Sequence, residues 1–149
     1  MADSSDVLLA LIKEQRDQIR QIESQRATLS NIIIVIVAAG LGLIAQRSLT
    51  SPSLVITLPM TCLGAYGILA CLKYHERSKL HGSQAHQLRL KLADLHPDLD
   101  MNPRWTQTFS DQQQRFPRLY RVRLYLVWVA LHAGICLGGL TLTMLALSH

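Results

Sequence analysis

LSNIIIVIVAAGLGLIA, residues 29–45, carries no charge, and a run this apolar has to leave water. As a helix it covers about 25 Å at about 1.5 Å per residue, close to a hydrocarbon core, with Thr28, Ser30 and Asn31 reaching the interface. Two similar runs follow, Leu54–Leu72 and Leu124–Leu147. The expected fold is therefore an all-α membrane protein with three transmembrane helices.

Composition agrees with this. Of 149 residues, 49% are apolar, and they are gathered in three blocks rather than spread with amphipathic periodicity. Leu, Ile, Val, Ala and Gly build the blocks, which suits helices; a barrel would need many short alternating strands. The 28 residues before the first run are polar and partly acidic, unlike a signal peptide, so the first span is expected to stay in the protein.

The 15 basic residues are distributed unevenly. Lys13, Arg16, Arg20 and Arg26 precede the first span, ten lie from Lys73 to Arg123, Arg47 alone sits in the first link, and none follows span three. The positive-inside rule then puts residues 1–28 and 73–123 in the cytoplasm, the 46–53 turn and the C-terminus outside. A bacterial inner membrane is the expected location.

Outward from the first span, Leu8, Ile12, Gln15, Ile19, Ile22, Arg26 and Leu29 alternate in steps of four and three, a heptad seam. No Gly or Pro interrupts the run, so one helix should extend from cytoplasm into bilayer. In RSLTSPS, residues 47–53, Ser51 is a natural N-cap and Pro52 a natural first helical residue. Pro59 should kink span two, with Thr57 or Thr61 able to occupy freed backbone groups. A second seam runs through Tyr74, Ser78, His81, Ala85, Leu88, Leu92, Leu95 and Leu99 until Pro97 ends the helix. Two seams of similar length leaving one hairpin on the same side should pair as an antiparallel stalk, with Ile12, Ile19, Ile22, Leu88, Leu92 and Leu95 at the stalk or between subunits.

Residues 96–105, HPDLDMNPRW, are turn-rich, and Ser110 with Gln113 has capping-box spacing that would start a short helix. Trp105, Phe109, Phe116 and Tyr120, interleaved with Arg115, Arg118, Arg121 and Arg123, suit the inner headgroup layer, where rings anchor and arginines meet anionic lipid. A ring of those arginines receiving RNA or a nucleotide signal is the alternative. In span three, Ala130, Gly134 and Gly138 form a small-residue stripe at which helix backbones approach closely, within the chain or between subunits.

Chemistry-bearing residues are few. His132 is the one histidine at membrane depth, without Asp, Glu, Lys or Arg beside it, so an interhelical hydrogen bond or a place on a pore wall, with Asn31, is expected before a proton relay. Cys62, Cys71 and Cys136 all fall within spans and read as small buried residues, with neither disulfide nor metal. His75, His81, His86 and His96 lack the i, i+4 spacing of a zinc helix. Arg89 and His96 give R-x6-H, which resembles the short motif of HEPN ribonucleases, though a basic helix with several histidines produces it by chance. Phosphate loops, nucleophile elbows and clustered carboxylates are missing, so no enzyme, cofactor or small-molecule substrate is expected.

The combination of a heptad-bearing polar N-terminal helix, a two-span hairpin, and KYHER (Lys73–Arg77) leading into a basic helix resembles small bacterial membrane proteins of antiphage defence, the SLATT-type effectors and RipA-type ring-forming proteins. The resemblance covers residues 19–95, and the third span departs from the two-span SLATT pattern. It implies a homo-oligomer that perturbs the inner membrane. The partners expected are thus the chain itself, anionic lipids and, in an alternative role as a membrane adaptor, a soluble defence protein or RNA.

Overall fold

The structure, a computed structural model, describes residues 3–46 and 49–148, apart from the side chains of Leu99, Met101 and Asn102. Among them there is no strand. Helix α1 runs unbroken over Ser4–Gln46 and α2 over Leu54–Leu95, followed by α3 (Met101–Arg115), α4 (Pro117–Arg121) and α5 (Leu124–Ser148). Three of these, α1, α2 and α5, are long and apolar enough to cross a membrane. The expected turn residue Arg47 and the Leu99 side chain of the second seam lie outside the described residues.

Helix ends follow local chemistry. Between α1 and α2 a single 3₁₀ turn spans Ser51–Ser53, and its cap is Thr50 rather than Ser51: the Thr50 N–H donates to Ser53 Oγ at 3.2 Å, one half of a capping box. Pro52 still occupies the first turn, where a missing N–H costs nothing. Pro59 sits inside α2, and Thr61 Oγ1 donates to the Thr57 carbonyl at 3.0 Å. By the i→i−4 rule the carbonyl that Pro59 frees is that of Val55, so this hydroxyl does not replace the lost bond.

His96, φ −130° and ψ 66°, stands before Pro97 in a conformation no α-helix continues, which fixes the end of α2. Phe116 does the same before Pro117. Helix α3 starts at Met101, not at Ser110; Ser110 is mid-helix, where its hydroxyl donates back to the Gln107 carbonyl at 2.8 Å instead of capping.

The chain divides into two units, Met1–Glu23 with Glu76–Arg123, and Ser24–His75 with Leu124–His149. In the first, Gln15 hydrogen-bonds His81 at 2.7 Å and Ser5 hydrogen-bonds His96 at 2.8 Å. Arg89 lies over the Trp105 ring, 5.7 Å from its centroid. Every described side chain from 103 to 123 is exposed.

In the second unit Ile33, Val37 and Met60 form the core, with Leu29, Ile56, Leu63, Ile135 and Leu142 against it. Helices α2 and α5 run antiparallel in close contact. A methyl group at Gly64 would strike the Cys136 backbone, one at Gly67 the His132 ring, and one at Gly139 the Thr61 backbone nitrogen, 2.7 Å away.

The least exposed positions of α2 step by three and four from Thr57 through Met60, Gly64, Gly67, Cys71 and Ala85 to Leu88, after which Ala93 rather than Leu92 is the buried residue. Those of α1 begin at Leu8, Ile12, Gln15, Ile19 and Ile22, then change phase. After Arg26 the fully buried residue is Ser30, with Leu29 only half-buried, and the stripe resumes at Ile33, Val37 and Gly40. Two consecutive steps of four amount to a stutter in the seam.

Candidate functional site

The stutter brings Ser30 to the most polar place in the second unit. One turn of each long helix contributes: Arg26 and Ser30 from α1, Gly67 and Cys71 from α2, Trp128 and His132 from α5. Ser30 Oγ and His132 Nε2 share a hydrogen bond of 3.1 Å, and both residues have 0% of their surface exposed. The Cys71 thiol lies beside Ser30 and Arg26. Arg26 stands with its guanidinium carbon 5.6 Å from the centroid of the Trp128 ring, a cation–π pair. One turn further along the same helices, His75 stacks on Tyr125 with centroids 3.9 Å apart and planes 14° from parallel.

This layer is incompletely satisfied. Arg26 Nε, Trp128 Nε1 and His132 Nδ1 are buried without a hydrogen-bond partner. For His132 the tautomer protonated at Nε2, donating to Ser30, leaves only an acceptor lone pair unmet, whereas the other strands an N–H donor. An unmet donor costs about 1–3 kcal/mol. Glycine at 67 makes room for the imidazole, since any side chain there collides with the ring.

His132 therefore sits in an interhelical hydrogen bond inside the unit, away from any exposed wall, while Asn31, one residue past Ser30, is exposed. The small-residue stripe is separate from this contact. Ala130, Gly134 and Gly138 face an open concavity of about 390 Å³ with Val37, Leu41, Met60, Leu131, Ile135 and Leu142, and nothing lies within 4 Å of a methyl group placed at Gly134 or Gly138. Close backbone approach within the chain is made by Gly64, Gly67 and Gly139 instead. Cysteines also divide: Cys71 is buried, Cys136 half-buried against Gly64, and Cys62 exposed.

Of the stalk-seam residues, Ile12 and Ile22 are buried, Ile19, Leu88 and Leu92 half-buried, and Leu95 is 48% exposed. Arg115, Arg118, Arg121 and Arg123 are all exposed, alongside Phe116, Leu119, Tyr120 and Val122. Trp105 is drawn from that aromatic set to Arg89. Burial, and then the nearby Arg16 charge, hold Arg89 below the ordinary arginine value. His81 and His96 are taken up by Gln15 and Ser5. Among the described residues no three His, Cys, Asp or Glu side chains gather where they could hold a metal ion.

Sequence reasoning missed Ser30, Gly67 and the Arg26–Trp128 pair as one cluster. The signal available was the Gly64–Gly67 spacing on span two, a gap of the size that a ring from a neighbouring helix fills. No known protein family, curated protein or solved structure matches this chain.

Proposed function

We propose that this chain is a homo-oligomeric, multi-pass protein of a bacterial inner membrane that perturbs or opens that membrane as an effector of antiviral defence, as its resemblance to SLATT-type and RipA-type proteins implies. The observation that carries the assembly is how little of each span the chain covers for itself: 22%, 28% and 22% of the apolar windows of α1, α2 and α5 are buried. Surface of that kind is stable against lipid or further copies of the chain. The open concavity along Ala130, Gly134 and Gly138 offers a neighbouring helix a surface without protruding side chains.

In this reading the N-terminus and residues 73–123 face the cytoplasm and the C-terminus lies outside. The two cytoplasmic helix segments pair as an antiparallel stalk. Its support is the order of contacts: Ser5 meets His96 and Gln15 meets His81, so advancing along α1 means retreating along α2. Ile19, Leu88 and Leu92, half-buried in one chain, become covered between stalks of adjacent subunits. Uncharged spans suit an opening of low selectivity.

The test is the detergent-corrected mass of the solubilised particle, followed by membrane potential in cells expressing the chain. A single closed oligomer and collapse of the potential are expected. A fully assembled protein with normal potential would sink the effector reading.

A second reading, the membrane adaptor, rests on the unbroken exposure of residues 103–123 with Arg115, Arg118, Arg121 and Arg123. It requires a soluble protein or RNA to co-purify through that segment from a particle that gives no conductance in liposomes.

A further inference from the structure

We infer that Arg26 and Trp128 form a binding site for the phosphate of an inner-leaflet phospholipid, where α1 and α5 meet. The inference rests on the membrane-spanning reading above. It starts from a cation in an apolar unit. No Asp or Glu occurs from residue 24 to 75 or from 124 to 149; Glu23 lies one turn before Arg26 on α1, and no ion pair between the two is found among the described residues. Arg26 is partly buried, with its guanidinium over the Trp128 ring.

Two of the unmet groups, Arg26 Nε and Trp128 Nε1, are donors, buried and without an acceptor; the third, His132 Nδ1, faces Gly67 on α2, and the other nearby polar side chains are the Ser30 hydroxyl and the Cys71 thiol. A guanidinium and an indole N–H have no acceptor capacity, so what completes them is an oxygen-rich group, and the cation makes it an anion. Phosphate fits both requirements, taking paired N–H bonds from an arginine.

Position selects a lipid as the source. Arg26 lies three residues before the uncharged run at Leu29, and Trp128 four residues into α5, the level at which indole rings and headgroups meet. On the membrane side of Trp128 the surface of α5 is apolar and exposed at Leu131, Leu137 and Leu140, where acyl chains would lie. The lipid is then a component of the junction that also contains the Ser30–His132 bond.

The experiment is native mass spectrometry of the full chain in mild detergent, delipidated and titrated with phosphatidylglycerol, with inorganic phosphate as the soluble competitor. Wild type is expected to retain at least one phospholipid per chain through activation that strips detergent. Arg26→Gln should lower occupancy about tenfold, the loss of one charge-assisted contact. Arg26→Lys should fall between, because an ammonium keeps the charge and loses the paired geometry. Trp128→Phe, which keeps a ring under Arg26 and removes only the N–H, should weaken retention severalfold with helicity unchanged, and it serves if Arg26→Gln misfolds.

Arg20→Gln, at an exposed residue paired with Asp17, should have no effect. Equal retention by wild type, Arg26→Lys and Trp128→Phe would overturn the site. Displacement of the lipid by millimolar inorganic phosphate would overturn the lipid assignment in favour of a soluble anion. Lipid bound per chain is independent of particle mass, so a monomer that retains lipid refutes the ring and leaves the site standing.

Discussion

Ser30 on α1 and His132 on α5, 102 residues apart in sequence, meet in a hydrogen bond of 3.1 Å with both side chains fully buried. Interhelical hydrogen bonds in membrane proteins contribute about 0.6 kcal/mol on average and about 1.7 at most, because the unfolded chain in a membrane also finds partners. Ser30→Ala leaves the imidazole with no partner on either nitrogen and should cost about 1–2 kcal/mol. A double-mutant cycle with His132→Ala, read by unfolding in mixed micelles, should return a coupling of about 0.5–1.5 kcal/mol. Additive effects would mean the two side chains do not interact.

Glycines in this chain divide into crowded and open positions. Gly67→Ala pushes a methyl group into the His132 ring and Gly64→Ala into the Cys136 backbone, and backbone has little freedom to withdraw. Each should destabilise the monomer fold by about 1–3 kcal/mol, as overpacking does. Gly67→Ala in a His132→Ala background should be tolerated far better, since the ring it strikes is gone. Thermal melts of the four detergent-purified variants decide this.

The helices were legible because their determinants are local. Absence of breakers from Ser4 to Ala39 writes one long helix, Pro97 writes the end of α2, and the three uncharged runs lie within α1, α2 and α5. Ile12 and Ile22, which spacing put on the first seam, are buried within the chain. The polar layer was not legible, since Ser30 gains its role only when α5 docks, and docking is decided by the gap at Gly67 rather than by the more regular Ala130–Gly134–Gly138 stripe. A rule that scores residue size along one helix finds the stripe; it cannot see which helix presents the complementary bulk. Ser110 misled for a related reason: its hydroxyl satisfies a carbonyl within α3 as readily as an N-terminal N–H.

Gly82 is a glycine inside α2 with negative φ and open space where a methyl group would go. Gly82→Ala should therefore stabilise this part of the helix by about 0.5–1 kcal/mol, chiefly by reducing the freedom of the unfolded chain. Slower amide exchange across residues 78–86 is the expected readout. Faster exchange there would mean that the glycine accommodates a neighbour absent from the monomer.

Arg89 is held below its ordinary value first by burial and then by Arg16. A cation with a lowered folded value is bound to its proton more tightly when unfolded. The penalty is present in full below the folded value and relieved only as pH rises through it. Below that value both states hold the proton, so Arg89 contributes no slope of stability with pH there. Removing the neighbouring charge is the usable probe: Arg16→Gln should raise stability by about 0.2–0.5 kcal/mol at low salt, with the gain fading near 1 M salt. Arg89→Gln, which also forfeits the Trp105 contact, should not share that gain and should lose about 0.5–1 kcal/mol.

Gly134 and Gly138 line a concavity that the chain leaves open, so larger side chains there meet nothing within one copy. Gly134→Leu should leave helicity and the Ser30–His132 coupling intact, because leucine is a good helix former and the buried edge of α5, at His132, Gly139 and Thr143, is elsewhere. In the assembled particle the same leucine would occupy the space a neighbouring helix needs. The expected outcome is a folded chain whose detergent-corrected mass drops to that of a smaller species, with Gly138→Leu behaving alike and Ala130→Gly remaining assembled. If Gly134→Leu assembles as wild type does, the concavity faces lipid and the contacts between copies lie on other faces of the spans or on the half-buried seam at Ile19, Leu88 and Leu92.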